Sequence, residues 1–123
     1  MSVETLSIHQ NAYQQLITKR NSELGVKWYS MDPKPRPCFT MDLLADFKKF
    51  GQTIFQSADA DYEQQQGKKI QFAVLTSRIP GVFSYGGDLS YFIQMIRKNS
   101  RVDLSKYAKA CVDAMYACWV GYH

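Results

Sequence analysis

Residues 81–92, GVFSYGGDLSYF, set Gly86, Gly87 and Asp88 between an apolar run and a segment with helical spacing. Paired glycines at such a junction either make a tight turn or leave backbone amides uncovered for a ligand. The neighbouring side chains offer little chemistry of their own. Asp88 reads as a cap or turn residue, and Asp103 as a helix cap. Ser84 has no histidine and aspartate partner in the sequence that would make it a nucleophile. His9 and His123 lie near the termini, where solvated side chains are expected rather than a general base or a metal ligand. No cluster of metal ligands occurs, and no metal is expected. Cys38, Cys111 and Cys118 are odd in number and lack CxxC spacing, so they read as free, buried thiols of a reducing compartment.

The elements that must position this motif follow from periodicity. Residues 12–20 (AYQQLITKR) and 24–31 (LGVKWYSM) are β-like, with Val26 and Trp28 on one face and Lys27 and Tyr29 on the other. The turn-prone NSE between them predicts a hairpin or two neighbouring strands. Three prolines in residues 32–37 (DPKPRP) exclude helix and central strand and predict an extended connector. Thr40 is then placed as an N-cap for an amphipathic helix whose inward stripe is Leu43, Phe47, Phe50 and Ile54, with Leu44 and Phe55 beside it. That helix is expected to continue past Gly51, fray in the polar residues 59–69, and stop near Gly67.

The unbroken apolar core of residues 70–77 (IQFAVLTS) predicts a central strand covered on both faces, as in a parallel sheet. Leu89, Phe92, Ile93 and Ile96 recur at helical spacing, so the glycines fall at a helix N-terminus. A last helix is predicted from about Asp103, with Val102 and Tyr107 as a hydrophobic staple. Its stripe would be Leu104, Tyr107, Cys111, Ala114, Met115, Cys118 and Trp119. Strand, strand, helix, strand, helix, helix is the opening of an α/β domain with helices packed on a small mixed sheet. No strand follows the last stripe to cover it, so a homo-oligomer or a complementing chain is expected there.

At 123 residues, 46% hydrophobic and 21% charged, the composition suits one modest core. The net charge of +4 is spread along the chain without a basic stripe, so a nucleic-acid partner is not expected. No apolar stretch approaches the ~20 residues that span a bilayer, and the N-terminus lacks a secretory pattern. A cytoplasmic protein without a membrane partner is the expectation.

Two stretches carry a family resemblance. Val74, Leu75 and Thr76, followed by Phe83, Ser84, Tyr85, Gly86, Gly87, Asp88 and Leu89, resemble the strand VVLTG and the FSAGGDL motif of the crotonase (enoyl-CoA hydratase and isomerase) superfamily. Within it the chain is most similar to the diffusible-signal-factor synthases, which make unsaturated fatty-acid signals from acyl-carrier-protein thioesters. Their FxxxIR helix is matched by residues 92–97 and their YAxxCV helix by residues 107–112, and the proline-rich stretch before CFTMDLLADF is also like that branch. Tyr85 stands where the family usually has a small residue.

The resemblance implies the N-terminal part of a crotonase-type ββα spiral core, an incomplete domain over residues 1–123. It implies that the backbone N–H of Gly87 is one of two oxyanion-hole donors for a thioester carbonyl. The backbone at Phe83, Ser84, Tyr85 and Gly86 would line the acyl carrier. The family's second donor and catalytic glutamates come from later segments that this sequence does not contain. The implied function is the first half of an acyl-CoA or acyl-carrier-protein thioester hydratase or thioesterase, inactive alone and needing no cofactor beyond the thioester substrate. The alternative is a non-catalytic acyl-thioester-binding or regulatory partner of a full-length relative.

Overall fold

A computed structural model describes residues 6–8, 13–65 and 70–122; His9, Gly67 and His123 lie outside the described residues. The elements are β1 (Leu6–Ile8), β2 (Leu16–Asn21), β3 (Val26–Met31), α1 (Met41–Gln65), β4 (Phe72–Ser77), α2 (Leu89–Arg97) and α3 (Arg101–Trp119). The fold is mixed α/β. One sheet has strand order β1-β2-β3-β4, antiparallel from β1 through β3 and parallel between β3 and β4.

The hairpin forms as its alternation predicts. Thr18 pairs with Tyr29 and Arg20 with Lys27. Asn21 Oδ1 accepts from the Glu23 and Leu24 amides and so shapes the turn. Leu16, Thr18, Arg20, Lys27, Tyr29 and Met31 are buried, whereas Trp28, on the opposite face from Tyr29, is exposed. The connector then leads through a cis Lys34-Pro35 peptide to Thr40. Thr40 Oγ1 accepts from the Leu43 N–H at 3.1 Å, so the predicted N-cap is in place.

Leu43, Leu44, Phe47, Phe50 and Ile54 of α1 are buried against Leu16, Tyr29 and Met31. Phe50 stacks on Tyr29 with ring centroids 4.2 Å apart and planes 14° from parallel. The helix runs through Gly51, where an added Cβ would come 2.7 Å from Tyr122 Cδ1. A glycine costs a helix interior about 1 kcal/mol relative to alanine. Here it lets the Tyr122 ring lie on the helix, where it also meets Phe50 edge-on at 5.7 Å.

Three expectations need correction. Strand β4 pairs in parallel with β3 but lies at the end of the strand order, and Phe72 is 61% exposed. Ala73 and Leu75 pack on the core from the side where α1 lies; an apolar run does not reveal whether a second layer exists to cover its other face. Helix α3 starts at Arg101 with Ser100 as N-cap, not at Asp103. Asp103 lies in the first turn and accepts from Ser100 Oγ at 2.7 Å, and Val102 is exposed rather than stapled. The inward stripe of α3 is Tyr107, Ala110, Cys111 and Ala114, while Met115, Cys118 and Trp119 are exposed, Trp119 by 86%. The stripe is wider than one neighbour can cover, and α1 takes its alanine side. Among the described residues no helix is long and apolar enough to cross a membrane.

Candidate functional site

The glycine loop is held from two sides. The Tyr85 N–H donates to the Pro37 carbonyl at 2.8 Å, and the Phe39 N–H donates to the Gly86 carbonyl at 2.7 Å. The proline-rich connector therefore acts as a short extended rail, with a parallel bridge between Phe39 and Gly87. Gly86 has φ +83°, in the left-handed region that a side chain would strain, and its N–H donates to Ser84 Oγ at 3.0 Å. Ser84 thus shapes the turn and is placed as no nucleophile. Gly87 is exposed, and its N–H has no acceptor among the described residues. The Phe92 ring lies against it, 3.3 Å from where a Cβ would stand. Phe83 and Tyr85 are exposed beside the loop, Tyr85 by 74%.

Asp88 is buried and caps α2, its Oδ1 accepting from the Tyr91 N–H at 3.2 Å. It also forms a bidentate ion pair with Arg36, Nε to Oδ1 at 3.1 Å and Nη2 to Oδ2 at 2.8 Å. The Arg36 guanidinium, aided by the α2 amides, holds the Asp88 carboxyl below the usual carboxylate range despite its burial. The remaining support comes from Tyr107. Its buried hydroxyl accepts from the Asp88 N–H at 2.7 Å and donates to the Phe39 carbonyl, tying α3 to both the rail and the loop. Burial pushes the Tyr107 phenol well above its ordinary range, so it stays a neutral donor.

Sequence reasoning placed Gly86, Gly87 and Asp88 correctly at a helix N-terminus. It missed the contacts that Arg36 and Tyr107 make with the loop from 52 and 19 residues away, which no local pattern carries. A second cluster also went unread: the Tyr29 and Tyr122 hydroxyls are 2.7 Å apart, and Cys118 Sγ is 3.3 Å from Tyr122. Burial pushes Tyr29 up to about 12, so the pair is a neutral hydrogen-bonded lock on the core. The three cysteines are free, but Cys118 is exposed, contrary to the expectation of buried thiols. No group of metal ligands occurs among the described residues.

The ion pair has a testable pH dependence. The folded Asp88 titrates below its unfolded value of about 3.9. Its contribution to stability is therefore fully present above that value and lost as pH falls through the folded one. Urea midpoints between about pH 5 and pH 2.5 should fall more steeply in the natural chain than in Asp88→Asn. Parallel curves would show that the pair adds no pH-dependent stability.

What this arrangement can do chemically is narrow. It presents the Gly87 amide, without an acceptor among the described residues, at the mouth of a nine-residue helix, beside a carboxylate already occupied by the Arg36 guanidinium and the Tyr91 amide. Such a site can hold an oxygen carrying negative charge, and it has no poised base of its own. No protein-family model matches this chain, and no curated protein matches it in sequence.

Proposed function

We propose that the Gly87 loop is an oxyanion-type site for the thioester carbonyl of an acyl-CoA or acyl-carrier-protein. The fold is then read as the N-terminal part of a crotonase-type core, of the hydratase or thioesterase kind that makes fatty-acid signals. The observation that carries this reading is the Gly87 N–H, left without an acceptor at the start of α2 while the amides on either side of it are bonded. Fixed dipoles of this kind stabilise developing negative charge without reorganising, and one donor is typically worth about 3–4 kcal/mol in a complete site. Phe83, Ser84, Tyr85 and Gly86 would lie along the carrier. The exposed outer face of α3, with Met115 and Trp119, is where a second copy or a complementing chain would cover apolar surface.

General acid–base catalysis needs a carboxylate free to take a proton near the reacting carbon or water. Asp88 is spent on Arg36 and the α2 cap. The chain alone is therefore expected to bind thioesters weakly and to turn over neither crotonyl-CoA nor a long-chain 3-hydroxyacyl thioester above background. The locked carboxylate equally favours the second reading, a thioester-binding partner without chemistry of its own. Titration of ¹⁵N-labelled protein with a non-hydrolysable acyl-CoA thioether ketone should move the Gly87 amide resonance most, with Gly86 and Phe92 following. A Gly87 resonance that stays still at saturating analogue, or turnover that vanishes in Asp88→Asn, would overturn the assignment.

A further inference from the structure

Helices α1 and α3 do not close on each other along their whole length. Between them lies a groove of about 560 Å³. Its floor is Leu44, Phe47 and Gly51 from α1 and Ala110, Ala114 and Ala117 from α3, each set spaced at three and four residues. Small residues along one wall keep the helices from filling the space, and Tyr122, seated on Gly51, closes one end. The α1 side of the lining runs from Met41 to Gln52, about 16 Å at 1.5 Å per residue.

The rims have a consistent sign. Lys48, Lys106 and Lys109 border the groove against one carboxylate, Asp113, which is already paired with Lys109 at 2.6 Å. Among the described residues neither Lys48 nor Lys106 has an ion-pair partner. A volume of this size with an apolar floor and few polar groups is that of a small-molecule site. Phe83, Ser84, Tyr85, Gly86 and Gly87 do not line it.

We propose that this groove binds a free medium-chain carboxylate, its alkyl chain along the alanine wall and its anionic head on the lysine-bearing rim. The length suits a chain of about ten to twelve carbons lying along three turns of helix. Charge complementarity selects the acid over the alcohol of equal length. This site is separate from the Gly87 loop and does not depend on the thioester reading.

Calorimetric titration of the full chain with dodecanoate, below its micelle concentration, and with dodecanol tests the assignment. Saturable one-to-one binding of dodecanoate is expected, weakened at least about ten-fold in the double variant Lys48→Glu and Lys106→Glu, with dodecanol binding changed by less than about two-fold. Ala114→Phe, filling the floor, should abolish both. The lysine changes lie on the surface, so they report on the site even if the floor variant does not fold. Absence of saturable binding, or an affinity for dodecanoate that the lysine variants leave unchanged, would overturn the proposal. So would a dimer in sedimentation that Ala114→Phe disperses, since the groove would then hold a second copy.

Discussion

Phe50→Ala is expected to lower the unfolding free energy by about 4 kcal/mol, within the range for truncating a fully buried aromatic residue. Phe50 is 1% exposed and stands at the centre of an aromatic cluster. Besides the stack on Tyr29, its ring meets Tyr122 at 5.7 Å and Tyr13 at 6.4 Å. Removing it takes away transfer free energy and leaves a space these rings are poorly placed to fill. Tyr29 and Tyr122 are tied to each other through their hydroxyls, and Tyr29 is fixed in β3 by pairing with Thr18 and Leu75. Single domains typically have only about 5–15 kcal/mol of stability, so the variant should be near the edge of folding at 37 °C. Urea unfolding of Phe50→Ala beside Phe72→Ala, a control with an exposed ring, decides the matter. Equal losses in the two would mean that the core is not centred on the α1 stripe.

Tyr107→Phe should cost about 3 kcal/mol although it removes one oxygen and keeps the ring. The hydroxyl satisfies the buried Asp88 N–H and the half-buried Phe39 carbonyl together, and its loss leaves both without that partner, at about 1–3 kcal/mol for a fully buried group and less for a half-buried one. The ring contacts with Tyr91 at 5.0 Å and Phe92 at 5.1 Å would remain, so packing loss is a small part of the effect. The consequence for the site is larger than the energy suggests. Tyr107 joins the rail before α1, the loop before α2 and the first turns of α3, and with the hydroxyl gone the Gly87 amide is positioned by the rail and Arg36 alone. Hydrogen exchange should accelerate at Asp88 and Phe39 more than in the middle of α1. A variant as stable as the natural chain, with exchange at Asp88 unchanged, would show that the hydroxyl is replaceable.

The sequence by itself determined β2, β3, β4 and the three helices, with the caps of α1 and α2; it carried no sign of β1 and put the α3 cap at Asp103 instead of Ser100. Period-two alternation separated Lys27 and Tyr29 from Val26 and Trp28, and the structure buries the first pair of positions. Threonine and aspartate ahead of apolar stripes marked the starts of α1 and α2, because a side-chain oxygen there satisfies an amide that the helix cannot. These signals are local, so a single chain segment carries them.

The tertiary structure decided which of several apolar positions become core. Both edges of the α3 stripe are apolar, and only the approach of α1 selects Tyr107, Ala110 and Ala114 over Met115 and Trp119. It decided also that β4 ends the strand order with Phe72 exposed, since a strand's coverage depends on layers elsewhere. Above all it brought Arg36 to Asp88 across 52 residues and the Tyr107 hydroxyl to Phe39 across 68. Gly86 and Gly87 announced a bare backbone, but which amide stays free depends on where the neighbouring ones find acceptors. Those acceptors, Ser84 Oγ and the Tyr107 hydroxyl, come one from the loop itself and one from a helix that folds back over it, and hydrogen bonding at that range leaves no periodic trace in the chain.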